Sequence, residues 1–330
     1  MPLLDVKNLS VQFRSDGKLL PTVTDVSFTL ERGEMLALVG ESGCGKSVTC
    51  MSLARLLPEP PVVLSGEVML DRGPALGGAA DVLQLNERSL RQVRGGCISY
   101  IFQEPSVSLN PVFRVGDQIA EAVRLHRKDV SDPFAEAVEL LRQVGIPDPA
   151  NRAKQYPHEM SGGMQQRVMI AMALGCAPSI LVADEPTTAL DVTVEAQILK
   201  LLEKLRDAGT SVLLISHNLG VIARVCDLVY VMYAGRIVEH AETAELFEKP
   251  LHPYTRGLFR SVASLREGGD TLETIPGVVP NLLHLPKGCS FSLRCGQCTE
   301  RCENESPELL ETGPGHTVRC FLAGKEDGHE

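Results

Sequence analysis

Polar and apolar residues alternate along residues 3–13, and again along 24–30 after Asp16-Gly17 and Pro21. Period two marks a strand with one buried face, so the chain is expected to open with antiparallel strands. The uninterrupted apolar run 35–39 predicts a buried strand, and after Lys46 the apolar spacing turns helical. Residues 97–102 predict another strand, ending at Gln103 before a polar loop, 104–111, that contains Pro105 and Pro111. Between 115 and 153 the spacing is helical, with Ala135, Val138, Leu140 and Leu141 on one face until Gly145-Ile146-Pro147 stops it. A second buried run, 180–183, is followed by a helix at 195–205 carrying Ile198, Leu199, Leu201, Leu202 and Leu205, and then by the run 212–215. Strand, helix, strand in that order implies a parallel sheet with a helix crossing over it. Residues 228–233, the turn Ala234-Gly235 and 236–239 read as a closing hairpin. The pattern is that of an α/β domain with an antiparallel β part and a helical insertion at about 104–175.

The octet GESGCGKS (Gly40, Glu41, Ser42, Gly43, Cys44, Gly45, Lys46, Ser47) stands between the 35–39 strand and the helix beginning near Val48. A glycine, four free positions and Gly-Lys-Ser between strand and helix form a P-loop. Its backbone N–H groups wrap a polyphosphate at a helix N-terminus, Lys46 reaches the β and γ oxygens, and Ser47 ligates magnesium. Asp184 and Glu185 follow the 180–183 strand, which puts two carboxylates where ligands bind parallel sheets. Asp184 is expected to hold magnesium and Glu185 to polarise the attacking water. Ser161-Gly162-Gly163 reads as an N-cap and two glycines opening a helix at 164–174, a second anion site without a lysine. His217, directly after a strand, is placed to meet a γ-phosphate. Phe13 is either an inward core residue or a platform on which a base stacks.

Composition narrows the class. The chain has 330 residues and a formal net charge of −10, with no cluster of Lys and Arg, which argues against nucleic acid as its main partner. No basic n-region leads the sequence, and the uncharged stretch 168–183 is broken by Gly-Cys-Ala-Pro-Ser and falls short of the roughly 18 to 20 residues of a spanning helix. A soluble chain without a signal peptide is expected. Five cysteines (Cys44, Cys50, Cys97, Cys176, Cys226) are scattered and read as small buried hydrophobes in a reducing compartment. Five more (Cys289, Cys295, Cys298, Cys302, Cys320) crowd the end of the chain, where thiolates suggest an iron–sulfur cluster or zinc. Plain reduced thiols in a loop-rich tail are the alternative.

Taken together these residues resemble the ATP-binding subunit of ABC transporters. The P-loop, Gln103 (the Q-loop), the signature (here MSGGM, residues 160–164), the 180–184 strand with Glu185, the D-loop Ala189-Leu190-Asp191 and His217 occur in the family's order. The resemblance implies a P-loop NTPase fold of the ABC ATPase type over residues 1–250, with ATP and Mg2+ as cofactors. It implies catalytic roles for Glu185, His217 and Gln103, magnesium contacts from Ser47, Gln103 and Asp184, and nucleotide contacts from Phe13, residues 40–48 and Ser161 to Gly163, the last three completing a partner's site. Leu251-His252-Pro253-Tyr254-Thr255 with Leu258, and Pro276-Gly277-Val278-Val279-Pro280, resemble the C-terminal extension (251–330) of the peptide and nickel importer class, most like the D-type subunits of dipeptide and oligopeptide importers. In that family Cys289, Cys295, Cys302 and Cys320 match the ligands of a [4Fe–4S] cluster, with zinc as the alternative and Cys298 outside the pattern.

What the resemblance implies as a whole is an ATPase driving di- or oligopeptide import. Its partners are a second, non-identical ATPase subunit, two integral permease subunits and, indirectly, a substrate-binding protein, at the cytoplasmic face of a bacterial inner membrane. The loop 104–111 is expected to touch the membrane partner. Nickel or another small solute is the alternative cargo, and a nucleic-acid-associated ABC ATPase the competing class.

Overall fold

The computed structural model describes residues 1–15, 17–187, 192–266, 275–282 and 285–323, with side chains at 106 and 262–266 left aside. The D-loop residues Ala189, Leu190 and Asp191 lie outside the described residues. In chain order the elements begin β1 (Leu4–Ser15), β2 (Lys18–Leu30), β3 (Met35–Val39), α1 (Lys46–Ser52), β4 (Val62–Asp71), β5 (Ala79–Asp81), α2 (Glu87–Val93), β6 (Ile98–Ile101), α3 (Pro105–Ser108), α4 (Val115–His126), α5 (Pro133–Gln143), α6 (Pro149–Arg152) and α7 (Gly162–Gly175). They continue with β7 (Ile180–Asp184), α8 (Val192–Asp207), β8 (Ser211–Ile215), α9 (Leu219–Val225), β9 (Leu228–Tyr233), β10 (Arg236–Glu242), α10 (Thr243–Glu248), α11 (Pro253–Arg266), α12 (Glu300–Asn304), β11 (Leu310–Gly313) and β12 (His316–Val318). The chain divides into two compact units: residues 1–3, 30–35 and 70–215 form one, and residues 4–29, 36–69 and 216–330 the other.

In the first unit β6, β7 and β8 run parallel, with Ile101 opposite Ala183 and Asp184 opposite Ile215. Every residue of β7 and β8 is buried, the pattern of a sheet covered on both faces. The crossover helix α8 buries Ile198, Leu199 and Leu202, while Leu201 and Leu205 are half-buried at the margins of the stripe. The helical insertion is present as α4 to α7. Helix α7 is apolar on most sides because it packs against α3, α4, α5 and β6 at once.

The insertion departs from the expected pattern in two places. The buried face of α5 is Ala137, Leu140 and Leu141, not Ala135, which is exposed, or Val138, which is half-buried. At about 100° per residue, Ala135 lies about 200° around the helix from Ala137 and so faces solvent. The 104–111 segment is not loop throughout, since Pro105 at the first position starts the short helix α3.

In the second unit β2, β1 and β4 lie side by side, with β2 on the edge, where Pro21 costs no ladder hydrogen bond. A separate run of strands has the order β11-β12-β10-β9-β3. Strand β9 is parallel to β3 and antiparallel to β10, which confirms the hairpin. The tail is sewn onto this sheet: β12 pairs with β10, Glu239 opposite Val318, and β11 pairs with β12.

Behind that pairing sits a buried carboxylate. Glu239 in β10 has 0% exposure and accepts from the backbone N–H of Leu251 (2.6 Å), the N–H of His252 (2.9 Å) and Nε2 of His316 (2.9 Å). It ties the hairpin both to the start of α11 and to β12. Among the described residues no helix is long and apolar enough to cross a membrane.

Candidate active site

The P-loop takes its shape from β9. At Gly40 φ is +150°, and a Cβ there would stand 2.2 Å from the backbone oxygen of Met232, so the first glycine is required by a neighbouring strand. Gly45, at φ +107°, caps α1 with Met232 Cε and Thr22 O close against it. Lys46 is buried, and its Nζ donates to the carbonyls of Gly40 (2.8 Å) and Glu41 (3.0 Å), which hold the ammonium on the inner side of the loop. Ser42 and Gly43 form the exposed tip, and Ser47 and Val48 are half-buried in the first turn of α1.

Cys44 is a packing residue. Its side chain is fully buried, burial pushes its thiol up, and its carbonyl accepts from Gly235 N–H (2.9 Å). Glu41, half-buried, is engaged at every polar atom. Its N–H donates to Tyr254 Oη (2.8 Å), its carboxylate receives both Nη atoms of Arg294 (2.6 and 3.0 Å), and its carbonyl receives Lys46. Phe13 lies half-buried in β1, between the two roles expected for it, and His217 is exposed just before Asn218, the N-cap of α9.

The first unit holds the carboxylates. Asp184 ends β7 at 5% exposure, and Tyr100 in β6 donates its hydroxyl to Asp184 Oδ2 at 2.7 Å. Glu185 follows in the left-handed region, φ +47°, with its N–H on Ile215 O at 3.0 Å, and there its side chain accepts from Gln103 Nε2 at 2.9 Å. A non-glycine residue held at positive φ is uncommon, and such strain clusters at functional sites. Gln103 and Glu185, 82 positions apart, are therefore brought into contact. Ser161 caps α7 by accepting from Met164 N–H, Met160 is buried, and among the described residues a Cβ at Gly162 would meet nothing within 4 Å beyond its chain neighbours and its own helix's backbone. No other described part of the chain crowds that position.

Sequence reasoning missed Tyr100, Tyr254 and Arg294. Tyr100 carried a signal, because a hydroxyl on a strand between buried neighbours needs a partner. Arg294 and Tyr254 carried none, since their contacts join positions more than 200 apart.

All ten cysteines are free thiols. Cys289, Cys295, Cys302 and Cys320 line one small cavity with His252, Phe291 and Leu322, while Cys298 is outside its lining. Burial pushes the Cys289 thiol up to about 11 and raises those of Cys295 and Cys320. The expected cluster geometry is not met. Among the described residues no group of three or more His, Cys, Asp or Glu side chains is arranged to hold a metal ion. Thiols without a cation beside them stay protonated and do not draw together as thiolate ligands do.

Two family models match the chain in tandem: ABC transporter over residues 23–188, and oligopeptide/dipeptide transporter, C-terminal region, over 238–302. A protein of Sinorhizobium fredii described as a "probable peptide ABC transporter ATP-binding protein" is 50% identical over 98% of this chain and 96% of its own. The oligopeptide transport ATP-binding protein of Haemophilus influenzae is 46% identical over 98% of each chain, and that of Escherichia coli 47% identical over 98% of this chain and 94% of its own. Among solved structures, an ATP-binding cassette in a dimeric post-hydrolysis state bound to ADP and Pi superposes with a TM-score of 0.64 at 25% identity, over 73% of this chain and 98% of that one. With a family model over half its length and relatives of this identity across nearly all of it, the chain belongs to the ABC transporter family, among its ATP-binding proteins.

Proposed function

We propose that this chain is the ATP-hydrolysing subunit of a membrane complex that imports di- or oligopeptides. The tandem match, an ABC transporter region followed by the C-terminal region of oligopeptide and dipeptide transporters, carries the reading. It is supported by relatives named for peptide and oligopeptide transport. Residues 1–250 form the ATP-binding domain and 251–330 the importer-type extension.

Within the site, residues 40–48 cradle the triphosphate, Lys46 neutralises the β and γ oxygens, and Ser47, Gln103 and Asp184 are the magnesium contacts. Held by these residues, Mg2+ would supply positive charge to offset the charge that develops on the phosphate. Glu185 orients and polarises the attacking water, with Gln103 holding its carboxylate, and His217 faces the γ-phosphate. Phe13 is the base platform. Ser161, Gly162 and Gly163 serve the ATP of a second, non-identical ATPase subunit, and the open space over Gly162 supports that use.

Exposed Val107, with exposed Val112 and Phe113 just beyond, supports contact between the 104–111 loop and two permease subunits at the cytoplasmic face of the inner membrane, where a binding protein delivers the peptide from the other side. Cys289, Cys295, Cys302 and Cys320, which share one small cavity without standing at ligand spacing, are the residues proposed to hold a [4Fe–4S] cluster once one binds.

The test is reconstitution of the assembled complex in vesicles. Peptide uptake and peptide-stimulated ATP hydrolysis are expected together, with Glu185→Gln retaining ATP and losing turnover. Stimulation by nickel salts and not by peptides would replace this cargo with a metal.

A further inference from the structure

Glu41 is held from the extension. Arg294 reaches it with both Nη atoms, 2.6 Å to Oε2 and 3.0 Å to Oε1, from a side chain only 3% exposed. The guanidinium is fixed from behind by Pro276 O (2.9 Å to Nε) and Ile275 O (3.3 Å to Nη2), and it stands 5.8 and 5.9 Å from the ring centres of Tyr233 and Phe291. Tyr254, 0% exposed, takes the Glu41 N–H, and its ring packs on Tyr233 at 4.6 Å. The same Glu41 carbonyl receives Lys46 Nζ. A planar fork on a carboxylate fixes direction as well as distance, which a single point contact does not. Both carboxylate oxygens of Glu41 are occupied by Arg294, so its contribution to nucleotide binding runs through its backbone.

We propose that Arg294 and Tyr254 are positioning residues of the ATP site: they lock Glu41, and through its carbonyl the resting place of Lys46, so that the importer-type extension completes the P-loop. The inference rests on the reading of residues 40–48 as the ATP cradle. Arg294 directly precedes Cys295, and Phe291 belongs both to the ring cluster around Arg294 and to the wall of the four-cysteine cavity. Disturbing that cavity therefore disturbs the P-loop by a short path.

The experiment uses the full chain and a fluorescent ATP analogue. Arg294→Gln leaves a half-buried carboxylate without its cation, and its affinity for the analogue is expected to fall at least tenfold. Arg294→Lys, which keeps charge and loses the fork, should fall short of wild type by severalfold, and Tyr254→Phe should weaken binding to a smaller extent. In the assembled complex KM for ATP should rise while kcat stays within about twofold. Glu41→Gln combined with Arg294→Gln should recover part of the affinity, since two amides can pair and no charge is left alone.

Melting without nucleotide is recorded for each variant. A lowered melting temperature with unchanged affinity and KM means a structural pair only and overturns the proposal, as does a double variant that is weaker than either single one. If Arg294→Gln does not fold, Arg294→Lys and Tyr254→Phe decide by the same readouts. Lys46→Ala separates the two levels: if it binds the analogue normally, the ATP-cradle reading itself fails. If it abolishes binding while the Arg294 and Tyr254 variants bind like wild type, only the lock fails.

Discussion

Replacing Glu239 with Gln is the sharpest probe of how the extension is attached. The carboxylate accepts three hydrogen bonds at full burial, two from backbone N–H groups and one from His316. An amide keeps one oxygen and turns the other into a donor, which must face the N–H of Leu251 or that of His252. One charge-assisted bond is lost, about 1.5–3 kcal/mol, and one buried donor is left unmatched, about 1–3 kcal/mol more. The sum, about 2.5–6 kcal/mol, brackets the about 3–5 kcal/mol measured when one member of a buried charged pair is removed.

The assay is native-state hydrogen exchange at the amides of Leu251 and His252. A loss of about 3 kcal/mol raises the exchange rate at least a hundredfold, at about 1.4 kcal/mol per factor of ten. Exchange within about threefold of wild type at both amides would refute the reasoning.

The effect has a definite pH sense. His316 is raised above its ordinary value of 6.5, first by its hydrogen bond to Glu239. A raised folded value means the stabilisation is full below the unfolded value and is lost as pH rises through the folded one. The penalty of Glu239→Gln should therefore be larger at about pH 6 than at about pH 9.

Three further outcomes are expected. Tyr100→Phe strips the donor from buried Asp184 and should lower stability by about 1–3 kcal/mol in urea unfolding followed by circular dichroism; a change under about 0.5 kcal/mol would remove Tyr100 from the site. After anaerobic iron reconstitution, wild type should be brown with broad visible absorption, Cys302→Ser should lose it and Cys298→Ser should keep it; equal loss in both would overturn the ligand choice, and a colourless wild type the cluster itself. His240 and His252 are lowered to about 4, in both first by burial. Their neutral forms favour the fold, so the extension should loosen as pH falls from about 6.5 toward 4, seen as faster proteolysis of the tail in acid; tail cleavage independent of pH over that interval would count against it.

The sequence declared those parts of the fold that are local and periodic. Strand β3 appears at the bounds its apolar run marks, and Ser161 caps α7 as a serine before Gly-Gly should. The same rules extended β2 too little, because Pro21 looks like a break and is tolerated on an edge. They also put Ala135 on the wrong side of α5, since that segment holds enough apolar residues to draw two stripes. What stayed hidden is long-range and polar. Nothing near Glu41 in sequence announces Arg294, and Glu239 has no exposure at all although a glutamate is by default expected to face water. A carboxylate reveals its burial only when its donors are known, and two of these are backbone groups that every residue owns.

The pairing of β12 with β10 has a practical consequence for anyone who shortens this chain. Without residues 310–318, β10 would present a row of unpaired N–H and C=O groups beside the hairpin, a template on which other chains can add as strands. The natural edge is β11, only four residues long, which gives little purchase for such growth. A truncated protein is thus expected to self-associate and precipitate. Its inactivity would then report stickiness, whereas point changes at Arg294 or Glu239 leave the edge covered and ask what the tail does.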